Sequence, residues 1–294
     1  MAKSITVYGV DFSSAPCRRK PIAVAVGQLR LETSGQATLQ VDRLEWLESL
    51  SAFSEFLQRP GPWLGGFDLP FGQPRVLATH YGWPLQWEAF VDFFCDAPRE
   101  SLRESFRQWC NARPVGQKFA WRQADKPAGS SPAMRWTNPP VAWMMQAGIG
   151  RMKSAGLVFP AHRHPLSAWT SDGRLADDQV QARVALEAYP GFTARQITRA
   201  SYKSDNPSQQ TADRLVARTQ IVEALLSGRA GLTVACRVPE SLRECMILEA
   251  RGDALDAVIC ALQAAQAAVL PRFGLPDDLD PLEGWIATVP PRKK

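Results

Sequence analysis

The sequence predicts a mixed α/β fold, a central sheet flanked by helices, on three observations. Three strand-like runs follow one another at hairpin spacing near the start of the chain, a helical run then leads into a fourth strand, and a long helical run lies near the end. At 294 residues, the chain can form one large core with an elaboration, since domains usually span roughly 100–200 residues. We therefore expect a single domain, 1–294, that contains an insertion.

The first three strands are predicted from β-branched and apolar runs. Residues 4–10 form the first and lead into Asp11, while 21–31 and 37–44 form the second and third, with a turn at Ser34 and Gly35 between them. Their spacing predicts an antiparallel three-stranded meander.

A helix and a fourth strand come next. Apolar residues recur at helical spacing through 45–58, and the helix is expected to end before Pro60. The short apolar run 63–67 then ends on Asp68. A strand–helix–strand connection of this length normally joins parallel strands with a right-handed crossover.

Residues 70–181 have a different character, which predicts a large Trp/Pro-rich insertion after the fourth strand. They hold seven of the ten tryptophans and all three histidines, around a loop-like centre at 121–140. Helices are expected at 87–94, 99–111 and 141–155. Cationic and tryptophan side chains interleave here as in single-strand binders, although a local tryptophan core under long loops accounts for them equally well.

Regular structure resumes after the insertion. The run 181–190 predicts a fifth strand that carries Glu187 and stops at Pro190, and helices are expected at 211–227 and 253–270. Residues 285–289 form a possible last extended piece. The sheet is therefore expected to have five strands.

Composition limits the class of protein. A hydrophobic fraction of 45% with 21% charged residues is typical of a globular chain and excludes wholesale disorder. No apolar run approaches the ~18 residues of a membrane span, and the first residues do not resemble a signal peptide. We expect a cytoplasmic protein with no membrane partner. Its net charge of +5 is compatible with a nucleic-acid partner without requiring one, and the oligomeric state stays open.

Acidic residues recur at the ends of the predicted strands. Asp11, Asp68 and Glu187 each precede a turn, and such strand ends face one side of an open α/β sheet. Asp253 and Asp256 lie three residues apart on an apolar helical run, so they share one face. A single strand-end acid is usually a turn or cap residue, and the aspartate pair alone suits a helix start. Together, acids so close to a core require a metal, a basic partner or solvent.

These elements occur in an order that resembles the ribonuclease H-like superfamily. The segment GDALDAVICAL, 252–262, resembles the final catalytic helix of RuvC-type Holliday-junction resolvases. The motifs YGVDFSSAP, GGFDLPFG, LEAYPG, GDALDA and EGWIATVP are together similar to a bacterial and archaeal family of predicted ribonuclease H-like nucleases, known as domain of unknown function 429. The resemblance spans nearly the whole chain, and it supports a prediction of the fold more strongly than a prediction of the reaction.

The resemblance implies a metal-dependent nuclease that hydrolyses phosphodiester bonds of DNA or RNA with two Mg²⁺ or Mn²⁺ ions. In that case Asp11 would bridge both metals, with Asp68 and one or both of Asp253 and Asp256 completing the sites. Glu187 would be a ligand, an outer group or a water-orienting base. Ser13, Ser14 and Lys203 are candidate contacts to substrate phosphate, although a turn role for the serines and a solvated lysine are the commoner functions of such residues.

Two other functions stay open. GVDFSS, 9–14, also resembles the phosphate-binding first hairpin of actin-like kinases and ATPases, but the sequence has no convincing second aspartate turn or glycine-rich adenosine loop. The chain could also be a non-catalytic module that binds nucleic acid or protein through its tryptophan-rich insertion.

Overall fold

A computed structural model describes residues 3–32, 35–162 and 182–291. The described chain forms a mixed α/β structure, a sheet with helices on both faces. The strands are β1 (Lys3–Asp11), β2 (Ile22–Leu31), β3 (Ala37–Leu47), β4 (Trp63–Phe67), β5 (Arg183–Glu187) and β6 (Ala235–Arg237). The helices are α1 (Leu50–Leu57), α2 (Arg75–Tyr81), α3 (Trp87–Asp96), α4 (Arg99–Asn111), α5 (Asp125–Ala128), α6 (Val141–Ser154), α7 (Pro190–Ile197), α8 (Ala212–Leu226), α9 (Glu240–Leu248) and α10 (Asp253–Ala268).

The strand order is β5-β4-β1-β2-β3-β6. Strands β1, β2 and β3 pair antiparallel, β4 is parallel to β1, and β5 is parallel to β4, which confirms the predicted meander and the parallel crossover. The expectation of five strands is wrong for the described residues, because β6 pairs in parallel with residues 38–40 at the β3 edge. With three residues, β6 is too short to give a periodic sequence signal.

The helix predicted over 45–58 begins later than its apolar pattern indicates. Strand β3 extends to Leu47 and keeps Trp46 in the sheet, and α1 starts only after Ser49, whose hydroxyl accepts a hydrogen bond from the amide of Ala52 at 3.0 Å. The alternation of strand residues there mimics helical spacing over a few positions, which explains the error.

The other predicted helices agree with the structure. The three helices expected in the insertion correspond to α3, α4 and α6, and those expected after it correspond to α8 and α10. Residues 163–181 of the insertion, including the start of the predicted fifth strand, lie outside the described residues. Residues 285–289 form no strand, but Ile286 makes a single parallel bridge to Glu187. No described helix is long and apolar enough to cross a membrane.

The two faces of the sheet carry different layers. Helix α10 packs across β1, β2 and β4 on one face, while α1 and the insertion helices share a core with the other face. Side chains alternate along a strand, so Val10 and Phe67 point toward the insertion core. Gly9 and Gly66 point toward α10.

These two glycines allow α10 to contact the sheet backbone directly. A Cβ atom at Gly9 would lie 2.0 Å from the Ala257 carbonyl oxygen, and one at Gly66 would lie 2.3 Å from the Cys260 carbonyl oxygen. Any larger residue would therefore push the helix away. The helix is buried from Asp253 to Ala267. Its first turn is thereby fixed beside the carboxyl ends of β1 and β4.

Candidate functional site

Asp11 and Asp68 lie side by side at the ends of two adjacent parallel strands. The register pairs Val10 with Phe67, and the Asp68 amide donates a hydrogen bond to the Val10 carbonyl at 2.9 Å. Each aspartate is two residues beyond a glycine that faces α10, so strand alternation directs both carboxylates to the α10 side. The structure therefore brings these two predicted site residues together.

The first turn of α10 brings two more carboxylates to the same place. Asp253 is 6% exposed and Asp256 is fully buried. Gly252 precedes them at φ 80°, a conformation that side chains rarely adopt. The start of the helix is capped by Glu249, whose Oε2 accepts a hydrogen bond from the Asp253 amide at 2.7 Å. Glu249 therefore caps α10, a role that we did not predict from the sequence. The Asp253 side chain is not needed for capping.

Lys203 supplies a positive charge within this acidic group. Its ammonium donates a hydrogen bond to Oδ2 of Asp256, and the Tyr202 hydroxyl donates one to Oδ1 at 2.6 Å. The lysine side chain is 42% exposed where it borders the site, whereas Asp256 is fully enclosed. Lys203 was expected as a phosphate contact, and here it neutralises a carboxylate. Tyr202 had no sequence signal.

Burial and neighbouring charges raise the pKa of three of these carboxylates, those of Asp11, Asp68 and Asp253. Burial raises the pKa of Asp11 well above its usual range, and the carboxylates of Asp256, Asp68 and Asp253 raise it further, against the effect of Lys203. Burial likewise raises the pKa of Asp68 to about 7 and that of Asp253 to about 6. Burial opposes the charge on Lys203, but the carboxylates outweigh it and hold its pKa well above the usual value. The four carboxylates thus face one ammonium and the Arg251 guanidinium, and additional positive charge would stabilise the group.

The donor set can be tested for a metal. Among the described residues, no three His, Cys, Asp or Glu side chains are arranged to hold a metal ion. Asp256 has both oxygens engaged by Tyr202 and Lys203, whereas Oδ2 of Asp253 is buried and accepts no hydrogen bond, with Arg251 Nε 3.4 Å away. Carboxylate oxygens are the ligands that Mg²⁺ and Mn²⁺ prefer. The set fits such an ion in its donor chemistry, although Lys203 provides the cation in the described arrangement.

Glu187 lies on the other face of the sheet, although it lines the same cavity and its carboxylate raises the pKa of Asp68. It pairs with Phe67, so its side chain points toward the insertion. Its two oxygens accept hydrogen bonds from the Arg122 guanidinium at 2.6 and 2.7 Å, and one also accepts from the Phe71 amide at 3.0 Å. Arg122 in turn binds the Asp125 carboxylate at 2.8 and 3.0 Å. All three charged side chains are buried. This geometry is that of an ion-pair link between the insertion and β5.

Arg122 and Asp125 were missed as a pair, although their spacing of three residues is a recognised ion-pair signal in a helical turn. What the sequence lacks is any sign that Glu187, 65 residues away from Arg122, is the third member. The link accounts for one cation of the insertion that otherwise resembles a nucleic-acid contact.

Ser13 and Ser14 follow Asp11 and are half-buried at the edge of a cavity of about 740 Å³. Asp11, Asp68 and Asp253 line the same cavity. Its volume falls in the range of roughly 300–1,000 Å³ that is usual for ligand sites. The two predicted serines and three of the four predicted aspartates therefore border one open cavity, while Asp256 is buried behind it.

Comparisons with protein-family models, curated proteins and solved structures returned no match. The family resemblance of the motifs remains a prediction, and the function of the site is argued from its geometry.

Proposed function

We propose that this protein is a divalent-metal-dependent nuclease with a ribonuclease H-like fold. The observation that carries the proposal is the convergence of Asp11 and Asp68, at adjacent parallel strand ends, with the aspartates of α10. The order of meander, helix, β4 and final acidic helix, which underlies the resemblance, also describes the observed chain. β6 and the large insertion are additions to that order.

The residues of the site divide into metal-holding and phosphate-binding groups. Because the described side chains are not arranged around an ion, Asp11, Asp68 and Asp253 would have to move toward one another to hold the metal. Asp253 is the α10 member of this set, because it has an oxygen without a hydrogen bond while both oxygens of Asp256 are engaged. Bound Mg²⁺ or Mn²⁺ supplies a Lewis acid that activates water and stabilises the leaving oxygen. Lys203 lies among these acids with its charge retained, so it would neutralise a phosphate oxygen.

The remaining residues position the substrate and the site. Ser13 and Ser14 border the cavity directly after Asp11 and offer hydroxyl groups to phosphate. Asp256 orients Tyr202 and Lys203 through its two hydrogen bonds. Glu187 holds Arg122 and with it the insertion, so we assign it a structural role, in place of the ligand or base role considered for it from the sequence.

The test is hydrolysis of single-stranded and duplex DNA and RNA by purified protein with Mg²⁺ or Mn²⁺. Asp11→Asn is expected to abolish cleavage and to weaken Mn²⁺ binding in calorimetry, because it removes a ligand charge from the group. Asp92→Asn is the matched control, since this aspartate of the insertion is 65% exposed and pairs with Lys153 away from the cavity. Absence of any metal-dependent hydrolysis by the wild type, or full activity of Asp11→Asn, would refute the proposal.

A further inference from the structure

We infer that the cavity accepts nucleotides of a single strand, with phosphate on the carboxylate side and the base against the insertion. This inference rests on the proposed nuclease function and names its substrate class. The supporting observation is that the two walls of the cavity differ in chemistry.

One wall carries almost all of the charge. The strand ends, the start of α10 and the segments beside them contribute four aspartates and Glu187, which Arg122 neutralises, together with Lys20, Lys203 and Arg251. Lys20 is half-exposed and pairs with Asp205 at 2.5 Å across the rim, and Arg251 donates a hydrogen bond to the Arg19 carbonyl. Acids with the oxygen ligands that a divalent metal prefers, flanked by cations, suit a phosphodiester and its neighbouring phosphate.

The opposite wall comes from the insertion and is nearly neutral. Its described lining residues combine small polar and apolar side chains: Ser130, Ser131, Asn138, Pro139, Pro140, Val141 and Met144. Arg122, the one charged side chain that the described insertion adds to the lining, is engaged by Asp125 and Glu187. Apolar surface with hydroxyl and amide groups suits a nucleobase, whose faces are apolar and whose edges form hydrogen bonds.

This division of walls matches an unpaired nucleotide better than a duplex. In a duplex, the phosphates lie outside and the bases are stacked and paired, so a base reaches a pocket wall only when it is unpaired and extruded from the stack. A single strand presents phosphate and base separately and needs no such extrusion. The neutral wall, which lies across the cavity from the acids, would therefore favour single strands over duplexes.

The experiment measures cleavage and binding of one oligonucleotide as a single strand and as a blunt duplex, for both DNA and RNA. Cleavage of the single strand is expected to be at least about tenfold faster than that of the duplex, in line with a pocket discrimination of 1–3 kcal/mol. Equal or faster cleavage of the duplex would overturn the inference.

A bulkier insertion wall gives a second test. Val141→Trp adds bulk to the insertion side of the cavity, and is expected to slow oligonucleotide cleavage about tenfold or more relative to bis(p-nitrophenyl) phosphate. Val115→Trp is the control, because this residue lies in the same insertion, is 89% exposed and does not line the cavity. Equal effects of the two variants on both substrates would count against the inference.

The inference can fail separately from the nuclease function. Hydrolysis of bis(p-nitrophenyl) phosphate with no preference for single strands would retain the nuclease and reject the inference. If the wild type hydrolyses nothing, the nuclease function fails, and fluorescence anisotropy of a labelled oligonucleotide decides the inference alone. Tighter binding of the single strand, lost in Val141→Trp, would support it. Tight binding of ATP with no preference for single strands would refute it.

Discussion

Replacement of Asp68 by asparagine should stabilise the metal-free protein at high pH while it removes activity. Burial, together with the carboxylates of Asp256 and Glu187, raises the pKa of Asp68 to about 7, against the effect of Lys203. The usual value is ~3.9. The folded state therefore binds this proton more tightly than the unfolded state, so the wild type loses stability as the pH rises from ~4 to ~7. Asparagine does not ionise, so the variant does not lose stability over this pH range for that reason.

The magnitude follows from the size of the shift. About three pH units at ~1.4 kcal/mol each give a ceiling of ~4 kcal/mol. The Asp68 side chain borders the solvent of the cavity, so screening reduces the expected gain to about 1–2 kcal/mol. For a chain of this size, that corresponds to a rise in the thermal midpoint of roughly 2–6 °C.

The assay is thermal unfolding followed by circular dichroism in chelator-containing buffers across this pH range. The Asp68→Asn variant should match the wild type near pH ~4 and exceed it above pH ~7. Asp92→Asn, an exposed site, should leave the midpoint nearly unchanged throughout. An Asp68→Asn protein that is less stable than the wild type at high pH, or that differs from it by the same amount at every pH, would refute the reasoning.

Three further predictions concern the elements around the site. Gly66→Ala places a Cβ 2.3 Å from a backbone oxygen of α10, so the helix must move away by about 1 Å. Turnover should then fall about 100-fold, and urea unfolding should show lower stability. Arg122→Met leaves Glu187 buried without its cation, which should cost about 3–5 kcal/mol in urea unfolding, partly recovered by a second change of Glu187→Gln. Excess Mn²⁺ should stabilise the wild type by ~2.7 kcal/mol at 100 times its Kd, and Asp11→Asn much less, by scanning calorimetry.

The antiparallel meander, the main helices and the position of the aspartates at strand ends could be predicted from the sequence. These features depend on local patterns: β-branched runs, helical spacing, and acids directly before turns. Asp11 and Asp68 could be located because both signals coincide there. Gly9 and Gly66 allow the close approach of α10, but the sequence alone does not show which backbone atoms of the helix lie against them.

The residues that form hydrogen bonds and ion pairs with the acids could not be predicted from local sequence patterns. Lys203 is 53 residues from Asp256 in the chain, and no periodic pattern links the segments that carry them. The face on which Glu187 lies depends on its register with Phe67, and a shift of one residue would reverse it. A single sequence contains no direct record of such long-range pairing, which is why the role of Glu187 was left open.

The ion-pair link of Arg122 also bears on how this molecule can be divided. An inserted segment is often regarded as a removable module, but here it supplies the cation of a buried glutamate at the end of the edge strand β5. A shortened protein without the insertion would retain Glu187 in a site built for a charge pair, and its folding would suffer unless that residue changed too. Loss of the insertion and a substitution at Glu187 would therefore have to occur together.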